Sequence, residues 1–178
     1  MASYDMTSNN KSITRRIAYA AVFTALAIAL SIMENYFPVG LLIPVPGIKL
    51  GLANVVTIFA IVMLKPVDTI AVILTRCLVV GLFTGPVALM FSLTGAMAAW
   101  LVMTILNRWT GRYFSVIGIS IAGAVMHSFG QAGVAVIILK DWDIMFYYLP
   151  FLMIASLFTG TITGMAAIPV INNFGGKR

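Results

Sequence analysis

Hydrophobic and polar residues do not alternate along this chain. They separate into long apolar runs divided by short polar breaks. Six runs lie at about 16–36, 48–64, 67–83, 87–106, 114–139 and 144–171, each near the roughly 20 apolar residues that a helix needs to cross a bilayer. The breaks carry recognisable stops: Lys65-Pro66, Gly85-Pro86, the NRWTGR turn at 107–112 and the KDWD turn at 140–143. Proline lacks an N–H and cannot continue a helical ladder. Strict period-two alternation is absent, which argues against a membrane barrel. The pattern predicts an all-α integral membrane protein, with six transmembrane helices in one bundle over about 15–172. A disordered polar tail at about 1–14 and a basic tail at about 173–178 flank it.

Composition agrees with that reading. The chain is 61% hydrophobic and 9% charged, against about 25% charged in an average soluble domain. The net charge of +6 does not point to nucleic acid, because the basic residues fall at the ends of the runs. Lys11, Arg15, Arg16, Lys65, Arg108, Arg112, Lys177 and Arg178 lie on one side, whereas Lys49 and Lys140 lie on the other. The positive-inside rule then puts both termini in the cytoplasm. The long 35–54 connection, the Gly85 turn and the KDWD turn face outward, together with Glu34, Asp141 and Asp143. The first run follows basic residues as a signal peptide does, but it is long for one and further spans follow, so it is expected to be retained. The single cysteine, Cys77, allows no internal disulfide.

The first external connection is unusual. It is long, apolar and stiffened by Pro38, Pro44 and Pro46, each with a fixed φ. Two readings are open: a segment that folds back and covers something, or an interfacial connector with a packing role. Lys49 and Asn54 sit where it enters the second span. Lys49 alone is accounted for by snorkelling to the headgroups.

Polar groups inside the spans are costly. An arginine at a helix centre costs about 2.5–3.5 kcal/mol on insertion scales, and Arg76 occupies the middle of the third run. It can pair with Glu34 as a structural ion pair or meet an anionic ligand. His127 and Gln131 are spaced i, i+4 on the fifth span and so share a face, with Gly123, Gly130 and Gly133 nearby. They can hydrogen-bond a buried ligand, or a neighbouring helix for about 1 kcal/mol. Trp142, Tyr147 and Tyr148 fit an interfacial aromatic belt. Small residues recur every fourth position at Ala21, Ala25 and Ala29 and again at Ser156, Gly160 and Gly164, a spacing that permits close helix approach.

Several chemistries lack their residues. The chain has no Walker-type Gly-rich loop, so no ATP hydrolysis by that route is expected. One histidine and one cysteine do not make a transition-metal cage. No aspartate-rich cluster is present to hold magnesium against a diphosphate. No metal, no cofactor and no catalytic residue is expected.

The run PVPGIKLGLANVVTI at 44–58, the third-span Arg76 and MHSFGQ at 126–131 together resemble the Gx transporter family. That family is also described as heptaprenyl diphosphate synthase component I, and it is similar to substrate-binding S components of energy-coupling factor (ECF) transporters. The resemblance covers about 13–170, and His127 is followed by Ser128 where relatives often carry asparagine. It implies a non-enzymatic importer subunit of a bacterial cytoplasmic membrane. Such a subunit captures a small molecule, anionic or vitamin- or quinone-precursor-like, and works with a T subunit and two ATPase subunits that use the ATP. The resemblance makes the 35–54 connection a lid and Ala21, Ala25 and Ala29 the face that docks the T subunit. Glu34, Lys49, Asn54, Arg76, His127 and Gln131 are then the candidate substrate-binding residues. S components of this kind are held to topple in the bilayer, carrying the pocket inward. The other description implies an accessory membrane subunit, or a binder, linked to heptaprenyl diphosphate or quinone biosynthesis without catalysis of its own.

Overall fold

The structure is a computed structural model and describes residues 2–36 and 52–174. Seven helices account for most of these residues, in the order α1 (Ala2–Tyr36), α2 (Asn54–Met63), α3 (Pro66–Thr84), α4 (Pro86–Asn107), α5 (Val116–Leu139), α6 (Asp143–Tyr147) and α7 (Leu149–Phe174). Five contain segments long and apolar enough to cross a membrane: Ile13–Glu34, Pro66–Thr84, Pro86–Asn107, Val116–Leu139 and Leu149–Asn172. The described part of the chain is therefore an all-helical, multi-pass membrane architecture.

Local chemistry explains most boundaries. Positions 2–36 contain no glycine and no proline, so nothing ends α1. It runs back to Ala2, through the segment expected as a disordered tail. Before Pro66, Lys65 is extended, with φ −75° and ψ 153°, as the proline ring requires of its predecessor; Pro66 then opens α3. Gly85 adopts φ 93°, a conformation that glycine reaches without a Cβ penalty, and it turns the chain into Pro86. Ser115 caps α5 by accepting a hydrogen bond from the Gly118 N–H at 3.0 Å, satisfying one of the free first-turn donors. Lys140, left-handed at φ 53°, closes it.

Two expected spans differ. The second run was expected to be helical from about 48, but Leu52 and Ala53 form a turn and the helix covers ten residues. At 1.5 Å per residue this is about 15 Å, half of a hydrocarbon core of about 30 Å. The sixth run divides into α6 and α7 at Tyr148. Pro150 disfavours helical geometry at Leu149 and has no N–H for the Phe146 carbonyl. The 37–51 segment, with its three prolines and Lys49, and residues 175–178 lie outside the described residues.

The short α2 is the axis of the bundle. It touches α1, α3, α4, α5 and α7, and Asn54, Val56, Thr57, Ile58, Phe59 and Ala60 are buried. Around it the long helices form an arc in which α1 meets α3, α3 meets α4, α4 meets α5 and α5 meets α7. No contact joins α1 to α7 among the described residues. One apolar cluster gathers Phe23 of α1, Leu64 after α2, Val72 of α3, Met103 of α4, Ile119 of α5 and Ala167 of α7. A second joins Phe91, Val134, Ala135, Val136 and Leu152. The helices thus alternate in direction, and the beginning of α1 and the end of α7 share one end of the bundle.

Close packing explains the tight seams of α5. A Cβ placed on Gly160 would lie 2.6 Å from Ile121 Cα, and one on Gly164 would lie 2.8 Å from Ile117 Cα. Along the same seam the hydroxyls of Ser120 and Thr163 are 2.6 Å apart, as are those of Ser128 and Ser156. The Ser156, Gly160 and Gly164 face is therefore spent inside the protein. Against α4, a Cβ on Gly130 would meet the Thr94 carbonyl oxygen at 2.8 Å. At the end of the bundle where α3 begins, Arg16 of α1 clasps Asp68, with Nη2 to Oδ2 at 2.7 Å and Nε to Oδ2 at 3.1 Å.

Candidate functional site

Three of the buried polar side chains, Asn54, Arg76 and His127, fall into one layer across the bundle. A cavity of about 210 Å³, lined in part by Leu64, Pro66 and Asn107, marks one end. Asn54 lies about ten residues above Leu64 on α2, and Arg76 about ten above Pro66 on α3. Gly95 is about twelve above Asn107 on α4. At 1.5 Å per residue these positions share a level roughly 15–18 Å from that end, near the middle of a bilayer core of about 30 Å. His127 on α5 joins the same level through direct contact with Gly95. A Cβ built there would lie 2.8 to 3.0 Å from the imidazole ring atoms.

Three elements thus deliver a polar side chain to one depth, α4 brings Gly95 to the same level, and α2 touches the other three. Asn54 is 2% exposed, Arg76 4%, His127 4% and Gln131 0%. Gln131 follows His127 by one turn of α5, about 6 Å further along. Burying an unpaired amide costs about 1–3 kcal/mol by mutational measures. Among the described residues, both side-chain atoms of Asn54 lack a hydrogen-bond partner, as does the buried indole N–H of Trp100. Arg76 Nη2 reaches Cys77 Sγ at 3.6 Å, and sulfur is a weak acceptor that offsets little of a guanidinium's desolvation.

The remaining candidates are placed differently. Glu34 is buried at 4% exposure, but far along α1. Counted from the Arg16–Asp68 pair, it stands about 15 Å beyond the level of Arg76, too far for a direct Arg76–Glu34 ion pair. Lys49 lies outside the described residues. Ala21, Ala25 and Ala29 are all exposed, on a face continued by exposed Ile17 and Met33. Nothing in the described chain covers that face, because α1 touches only α2 and α3.

Two features carried no sequence signal. Gly95 reads as one more small residue in an apolar run, and only the fold shows the imidazole resting on it. The cavity at the end of the bundle is lined by Ile61, Leu64, Pro66, Thr69, Thr104, Asn107 and Arg108, which include none of the candidate residues. Of its polar lining, the Thr104 hydroxyl is buried without a partner among the described residues.

No curated protein and no solved structure gives a significant match. The model of one family, described as heptaprenyl diphosphate synthase component I, matches residues 23–169. That stretch runs from the middle of α1 to near the end of α7 and holds every helix that contributes to the buried polar layer. The chain belongs to the heptaprenyl diphosphate synthase component I family.

Proposed function

We propose that this protein is a membrane-embedded substrate-binding subunit, the S component of an ECF-type importer. It takes a small molecule into the mid-bundle polar layer and docks through α1 on a membrane-embedded T subunit. Two partner ATPases supply the energy, and the protein itself catalyses nothing. The observation that carries this reading is the contrast between its two small-residue faces. The Ser156, Gly160 and Gly164 face is consumed by α5, whereas Ala21, Ala25 and Ala29 stay exposed on a helix with two neighbours among the described elements. Small residues at four-residue spacing let another helix approach closely. A buried set of Asn54, Arg76, His127 and Gln131 supports the binding role, since such groups are retained in a membrane where they meet a partner. Both termini are assigned to the cytoplasm by the basic residues near the chain ends, and the 35–54 connection is then on the opposite side.

The family description favours a second reading, an accessory membrane subunit of heptaprenyl diphosphate synthesis. The two readings are separated by affinity purification from native membranes, followed by native mass spectrometry of the protein itself. The importer reading expects an integral membrane partner, ATPase subunits and a retained small molecule. Recovery of a soluble prenyltransferase with no ATPase would replace it by the accessory reading.

A further inference from the structure

The state of Asn54 narrows the chemistry of the molecule that the polar layer accepts. Asn54 is the first residue of α2, 2% exposed, with neither Oδ1 nor Nδ2 hydrogen-bonded. An asparagine at the start of a helix commonly bonds a free amide of the first turn. Here those amides are taken. Val55 N–H donates to the Leu52 carbonyl at 3.1 Å, Val56 N–H to the Ala53 carbonyl at 3.1 Å, and Thr57 N–H to the same oxygen at 3.4 Å. The helix makes no side-chain cap. These three amides are therefore not open to an anion, and the side chain beside them offers one carboxamide, with an acceptor and a donor side by side.

Resting on the substrate-binding reading, we propose that the ligand presents a complementary edge to Asn54, one N–H donor beside one carbonyl acceptor. A lactam, carboxamide, ureido or imide group has that edge. Such a group satisfies Oδ1 and Nδ2 at once. A carboxylate offers acceptors alone and would leave Oδ1 buried without a donor, which carries the desolvation cost of an unmade hydrogen bond. Asn54 lies at the level of Arg76 and His127, so the amide-reading contact and the guanidinium belong to one layer. Any anionic group of the same ligand is left to the Arg76 side.

The test uses the full-length protein in nanodiscs and three small probes that differ in hydrogen-bonding edge. 2-Pyrrolidone carries both donor and acceptor, N-methyl-2-pyrrolidone lacks the donor, and acetate carries acceptors only. Thermal unfolding is followed for wild type and Asn54→Leu, a near-isosteric change that removes both polar atoms. The proposal expects 2-pyrrolidone to raise the wild-type Tm by more than either other probe. Asn54→Leu without any probe should unfold at the wild-type temperature or a few degrees above it, and should lose the extra response to 2-pyrrolidone. Equal shifts from all three probes, or none from 2-pyrrolidone, overturn the proposal. So does a Tm lowered by several degrees in Asn54→Leu, because the amide would then be paired in the fold. Co-purifying ATPases without the 2-pyrrolidone response would refute this inference alone. The response without ATPases would refute the importer reading and leave the amide-reading site standing.

Discussion

At the residue scale, the decisive contact is the imidazole of His127 lying on Gly95. His127 and Gln131 were legible in the sequence, because i, i+4 spacing on an apolar helix puts two polar groups on one face whatever the fold. Gly95 was not, because its meaning depends on which helix crosses it. A methyl at Gly95 would stand 2.8 Å from the ring, and an imidazole cannot yield as a flexible chain end can. Gly95→Ala should therefore displace His127 and, under the proposed binding role, reduce retention of a bound small molecule about tenfold or more, equivalent to about 1.4 kcal/mol. Gly133→Ala is the control: a Cβ there meets nothing within 4 Å, and alanine in a helix interior is favoured over glycine by about 0.5–1 kcal/mol. Its retention should match wild type, measured by native mass spectrometry. His127→Ala and Gln131→Ala should each lose the molecule, and wild-type retention in both would reassign them to packing.

At the element scale, spacing alone could not distinguish the two small-residue faces. Ala21, Ala25 and Ala29 repeat as Ser156, Gly160 and Gly164 do, and each pattern fits helix packing equally well. The structure separates them by partner. Gly160→Ala would push a methyl into the Ile121 backbone, where overpacking costs about 1–3 kcal/mol. The thermal midpoint in detergent or nanodiscs should fall by several degrees. Ala29→Leu, on the open face, should leave the midpoint of the isolated protein unchanged. Helix boundaries were read well where proline or glycine marks them, at Pro66, Gly85 and Pro86. The short α2 and the break at Tyr148 were missed, since an apolar run does not reveal how much of itself is helical.

At the scale of the whole molecule, the long apolar runs and the low charge content of the sequence disclosed an all-helical membrane architecture, and five of the described helices are long and apolar enough to span. They did not disclose that α2 is the axis, nor that α1 is attached at one edge of an arc. That attachment includes the Arg16–Asp68 pair beside the apolar contacts of Phe23 and Ala27, with side-chain exposures of 39% and 22% for the pair. Exposed pairs contribute about 0–1 kcal/mol, so Asp68→Asn should lower the thermal midpoint only slightly. A loss of many degrees would mean that the pair is more deeply enclosed by the membrane interface. The central claim, that the open face of α1 receives an energising partner, is tested most directly by Ala25→Trp. The bulky indole should abolish co-purification of the membrane partner and ATPases from native membranes, while the retained small molecule and the thermal midpoint stay at wild-type values. Undiminished co-purification in Ala25→Trp would contradict the claim.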